Sequence, residues 1–112
     1  MWVINLKENS PPLDLALAQV EIEIEQASFA GERVLKILHG YGSHGKGGVI
    51  LTESRKLLSE MKKKGQIQDF FFGDKWNNFD EKTKKLIMQT KALADDEDLN
   101  KNNPGITIVV LK

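Results

Sequence analysis

The residues best able to do chemistry in this chain lie in one stretch, His39-Gly40-Tyr41-Gly42-Ser43-His44-Gly45-Lys46-Gly47-Gly48. Five of its ten residues are glycine, and it stands between an apolar run and a helical pattern. Glycines in that place let the backbone approach a ligand and turn its N–H groups inward. The N-terminus of the following helix adds a partial positive charge. Ser43, Lys46, His39 and His44 can each donate to an oxyanion. Phosphate binding is one reading of this loop; a flexible structural connection is the other. The spacing is not that of a P-loop, because Gly42 through Gly47 is followed by Gly48 where a lysine is required.

Each candidate has a plain reading beside the functional one. His39 either satisfies backbone groups at a strand end, or contacts phosphate and moves a proton, for which an ordinary pKa of about 6.5 is suited. His44 is either exposed or a second phosphate contact. Tyr41 either packs over the loop or stacks on an unpaired base. Two histidines without neighbouring carboxylates make a poor metal site, so neither a metal nor a cofactor is expected.

The elements that must position this loop follow from hydropathy patterning. Trp2 to Leu6 reads as a first strand, and Ser10 with Pro11 as the cap and first position of a helix. Leu13, Leu17, Val20, Ile24 and Ala27 form one helical stripe that Gly31 ends, with Asp14 an early acid suited to the helix dipole. Val34 to Leu38 is a second strand. A second helix after the loop carries Ile50, Leu57, Leu58 and Met61 on one side, keeps Arg55, Lys56 and Lys62 to Lys64 elsewhere, and stops at Gly65. Ile67 to Phe72 is a third strand. A capping box, Asn78 to Glu81, opens a helix predicted over 79–94, with Trp76 and Phe79 as its anchors or, alternatively, a platform for bases. The acidic stretch 95–103 reads as a mobile loop, with adjacent like charges from Asp95 to Asp98 and nothing apolar to bury from Asn100 to Asn103. Pro104-Gly105 introduces a last strand, Ile106 to Leu111.

The expected fold class is α/β, a small two-layer sandwich on a four-stranded mixed sheet. Its order is β-α-β-α-β, then an inserted helix, then β. Residues 1–112 form one domain with 73–103 inserted into it. If the first two strands are parallel neighbours, Lys7 comes close to His39 at the carboxyl edge of the sheet, where ligands of open α/β sheets gather.

Composition narrows the class further. The chain is 40% hydrophobic and 29% charged, ordinary for a globular protein. It has no cysteine, which excludes a disulfide scaffold, a thiolate zinc site and a cysteine nucleophile. No apolar run approaches the roughly 18 residues of a membrane span, and the N-terminus lacks the pattern of a secretory signal. A cytoplasmic protein with no membrane partner is expected, and Met1 in the initiator position favours a whole protein. Net charge is zero but uneven: residues 1–35 carry −4 and residues 36–75 carry +4. The basic excess is either a solvated helix face or a surface for an acidic partner.

The run Val34-Leu35-Lys36-Ile37-Leu38-His39-Gly40-Tyr41-Gly42-Ser43 resembles the His-Gly-x-Gly core of the Smr (small MutS-related) domain, as found at the C-terminus of MutS2 proteins. The resemblance extends along nearly the whole element order and leaves only 73–103 without a counterpart. It implies nucleic-acid binding, RNA or DNA, with endonuclease activity in some members and links to stalled ribosomes in MutS2-type proteins. It assigns His39 and Lys7 to the catalytic positions and Gly40, Tyr41, Gly42, Ser43, His44 and Lys46 to the phosphate-binding loop. The family's Leu-Asp-Leu-His-Gly at the first strand is matched here by Ile4-Asn5-Leu6-Lys7-Glu8. Asn5 cannot orient an imidazolium as a carboxylate does. Lys7, at an ordinary pKa of about 10.4, holds phosphate but is a poor proton shuttle. The expected function is a nucleic-acid-binding domain with cleavage weakened or lost. An active metal-independent phosphodiesterase and a protein-interaction module are the alternatives.

Overall fold

The computed structural model describes residues 1–8, 11–40 and 46–112, with positions 46 and 47 as backbone only. Four strands form one mixed sheet: β1 (Trp2–Asn5), β2 (Val34–Leu38), β3 (Ile67–Phe72) and β4 (Ile106–Leu111), in the order β1-β2-β4-β3. β1 and β2 are parallel, with Ile4 opposite Ile37, and β4 runs antiparallel to both β2 and β3. The carboxyl ends of β1, β2 and β3 therefore share one edge with the start of β4. The α/β class and the four-stranded mixed sheet are as the sequence predicts.

Helices α1 (Leu13–Phe29) and α2 (Lys46–Lys63) cover one face. Ala16, Val20, Ile24 and Ala27 of α1 meet Ile4, Leu35, Ile37 and Val109 of the sheet, with Leu58 and Met61 of α2. Asp14 lies in the first turn of α1. The residue before that helix is Pro12, with no side-chain cap; the predicted cap Ser10 lies outside the described residues. α2 begins at Lys46, so the loop reaching it is shorter than the glycine run suggests.

The opposite face is covered by the segment between β3 and β4. There Val34, Phe71, Ile106, Ile108 and Val110 meet Trp76, Leu86, Leu93 and Leu99 in a second core. The single helix expected over 79–94 is corrected to α3 (Glu81–Gln89) followed by a 3₁₀ turn at Lys91–Asp95. Thr90 breaks the two with φ −137° and ψ 88°. The cap is Asp80 rather than Asn78: its carboxylate accepts from the Thr83 amide at 3.1 Å. Trp76 is fully buried as an anchor should be, but Phe79 is 89% exposed and anchors nothing.

The stretch 95–103, read from the sequence as a loop, is bonded to the sheet through two of its acids, and its Leu99 is buried. Lys36, in the middle of β2, points into this second core and is buried. Its Nζ donates to Asp96 at 2.8 Å and to Asp98 at 2.6 Å. Asp96 also accepts from the Trp76 indole at 2.9 Å, and Asp98 from the Asn103 amide at 3.1 Å. Burial opposes the charge on Lys36, but its two carboxylate partners prevail and raise its pKa. Burial likewise pushes the Asp98 carboxyl up, and the hydrogen bonds from Lys36 and Asn103 with nearby positive charge outweigh it, so its pKa is lowered.

Breaking a buried ion pair by removing one partner costs roughly 3–5 kcal/mol. Lys36→Met is expected to destabilise by that amount in urea unfolding, and adding Asp96→Asn and Asp98→Asn to recover part of it. Asp98 has a folded pKa below its unfolded value of about 3.9, so its contribution is complete above that value and is lost as pH falls through the folded one. The gap between wild type and Lys36→Met should therefore close on acidification below about pH 4.

Candidate functional site

Of the sequence-predicted residues, Lys7, His39 and Gly40 lie at the shared edge of the sheet. His39 follows β2 and is buried, on the face covered by α1 and α2. Its Nδ1 lies 2.6 Å from the Gly40 carbonyl, and its Nε2 lies 2.8 Å from Thr107 Oγ1 on β4. A carbonyl only accepts, so Nδ1 carries the proton and Nε2 accepts from the threonine hydroxyl. The amides of His39 and Gly40 both donate to the Gly105 carbonyl at 3.0 Å. Gly40 has φ +71°, a conformation that L side chains rarely adopt, so the loop entrance favours glycine. His39 thus fastens the end of β2 to the start of β4 and fixes where the loop departs.

Burial is the main cause that lowers the pKa of His39; the Gly40 hydrogen bond opposes it and the charge of Arg55 adds to it. The ring is neutral at pH 7. The folded protein resists protonating it, so stability falls as pH drops below the unfolded value of about 6.5.

Lys7 follows β1, whose backbone continues beside β2 through the Leu6 amide donating to Leu38 at 2.8 Å. Its side chain lies against Gly40, as the parallel pairing predicts. Asn5 accepts from the amides of Lys7 at 2.9 Å and Glu8 at 3.2 Å. Its side-chain oxygen closes the turn that presents Lys7, and position 5 itself offers an amide in place of a carboxylate. Lys46 opens α2, but its side chain, with Tyr41, Gly42, Ser43 and His44, lies outside the described residues. Among the described residues no three His, Asp or Glu side chains converge to hold a metal ion.

One residue was not singled out from the sequence. Arg55 of α2 stacks its guanidinium 3.4 Å from the centroid of the Phe72 ring at the end of β3. Phe72 pairs with Thr107 across the β3–β4 ladder, so this cation joins the same edge. Only its position off the apolar stripe of α2 marked it in the sequence, as it marks every surface cation.

No family model matches this chain, and no curated protein matches it significantly. Among solved structures it superposes on the crystal structure of the Smr domain of Thermus thermophilus MutS2 with a TM-score of 0.63, over 100% of this chain and 99% of that one. The chain has the Smr fold. Identity over that match is 19%, so the Smr likeness lies in the path of the backbone, and the chemistry must be argued from the side chains present here.

The protonation state of His39 is directly measurable. Its ring carbon resonances should titrate with a midpoint below about 6.5, and Arg55→Met should move that midpoint upward. A midpoint at or above the free value would contradict the burial and charge described for this ring.

Proposed function

We propose that the protein binds nucleic acid at the carboxyl edge of its sheet and cleaves it slowly or not at all. The observation carrying this reading is the placement of His39 and Gly40 at the mouth of the glycine-rich loop, with Lys7 beside them, on a full-length Smr fold. The loop from Gly40 to Lys46, with Tyr41, Gly42, Ser43 and His44, takes the phosphate through its amides and donors, at the N-terminal end of α2. Lys7 supplies a positive charge. His39 positions the loop by holding the Gly40 carbonyl.

Slow cleavage follows from what surrounds the imidazole. A general base needs a free acceptor atom within reach of the proton it removes and a partner to stabilise the charge it gains. The basic nitrogen of His39 is occupied by Thr107, and its nearest named charge is a cation. Asn5 spends its oxygen on the Lys7 turn and is an amide, which cannot stabilise an imidazolium as a carboxylate does. General acid–base catalysis supplies about 10²–10⁴-fold in rate, so its loss leaves a binder.

Affinity for a labelled oligonucleotide should fall steeply with salt, as phosphate contacts require. On titration with oligonucleotide, the amide resonances of residues 40–49 should move first; shifts confined to α3 would refute the site. Asn5→Asp with Lys7→His should raise cleavage of single-stranded or structured RNA and DNA. Rapid cleavage by the unmodified protein that is abolished by His39→Ala would instead establish an active nuclease with a different acid–base pair.

A further inference from the structure

We propose that Arg55, held against Phe72, is a second phosphate contact, so that the ligand of the edge is an extended polynucleotide backbone rather than a single phosphate group. The proposal rests on the nucleic-acid reading above and adds to it the far end of the binding track.

Arg55 is half-buried, and its Nε is enclosed with no hydrogen-bond partner among the described residues. Nor does any described carboxylate lie within 4.0 Å of its guanidinium, although Asp74 is near enough for its charge to act. The contrast with Lys36 is direct: that buried cation has two carboxylates in contact. The Nε itself is closed to solvent, so an anion would be met by the terminal nitrogens of the guanidinium, which no described carboxylate contacts. The Phe72 ring fixes the plane of the guanidinium and leaves its donor edges to meet a planar or tetrahedral oxyanion. Phe72 is itself 39% exposed, so the pair is open to solvent at the edge.

The spacing sets the class of ligand. Lys7 follows β1 and Phe72 ends β3, with β2 and β4 between them. Three inter-strand spacings of about 4.8 Å separate the two ends by roughly 14 Å. His39 and the entrance to the loop lie between. A lone phosphate reaches one of these groups; a polynucleotide strand crossing the strand ends reaches them all.

Anisotropy titrations of labelled oligo(dT) and oligo(U) against wild type, Arg55→Met and Arg55→Lys over a salt series test this. Methionine keeps the packing on Phe72 and removes the charge. Arg55→Met should weaken binding about tenfold at low salt and reduce the slope of log K on log[salt] by about 0.7, the value of one contact to a single strand. Arg55→Lys should recover the slope and only part of the affinity. The Arg55 Nε–Hε resonance of the wild type gives an independent readout that needs no variant, and it should shift during the oligonucleotide titration. Wild-type binding with an unmoved Nε–Hε resonance, or an Arg55→Met slope equal to that of wild type, overturns this proposal and leaves the loop site standing. No salt-dependent binding by the wild type overturns both.

Discussion

A lysine in the central strand sets the terms for much of this molecule. Lys36 projects from β2 on the face that the segment between β3 and β4 covers, so its side chain is shut away from water. A charge in such a place must be met by opposite charge and hydrogen bonds or it unfolds the structure around it. Asp96 and Asp98 meet it, and the chain that brings them there must cross the whole second face of the sheet. Trp76, Leu93 and Leu99 are buried on the way, so the apolar cover of that face and the neutralisation of Lys36 are one construction.

The other face of the sheet leads to the site. Strands alternate their side chains, so His39 and Thr107 fall on the face opposite Lys36, and they close the sheet edge through a side-chain bond. The consequence is a rigid entrance to the glycine-rich loop: Gly40 is held by its carbonyl to an imidazole and by its amide to Gly105. Positive charge sits on both sides of this entrance, Lys7 after β1 and Arg55 on α2. The protein as a whole is neutral, and it is the distribution that gives this edge its character.

The sheet, α1 and α2 could be read from the sequence because their apolar periods are strong and their stops are glycines. The placement of the candidate residues His39 and Gly40 between β2 and α2 was equally legible, since strand, glycine run and helix follow one another directly. The 73–103 segment was not, because its order comes from partners far away in the chain. Asp96 and Asp98 look like a solvated acidic run until Lys36 is known to be buried, some sixty residues earlier. A signal was present: a lysine inside Val34-Leu35-Lys36-Ile37-Leu38 calls for an acid, and Asp95 to Asp98 is the densest acidic cluster in the chain. Phe79 misled for the opposite reason, since an aromatic beside a helix start suggests packing and here projects into solvent. Arg55 gains its meaning only from Phe72, which the β3–β4 pairing brings to the same edge.

Gly73 and Asn103 stand at the two ends of that segment, and they touch. A side chain at Gly73 would run into the Asn103 carbonyl and into Ile106. The excursion between β3 and β4 therefore leaves the sheet and returns to it at a single point, like a handle fixed to a cup. In topological terms it is detachable: a short turn joining the same two strands would leave their pairing and the opposite face untouched. What binds it to the protein is energetic, through one lysine and an apolar face. Removing it is thus a coupled edit, in which residue 36 and the exposed side of β2, β3 and β4 must change together with the length of the chain.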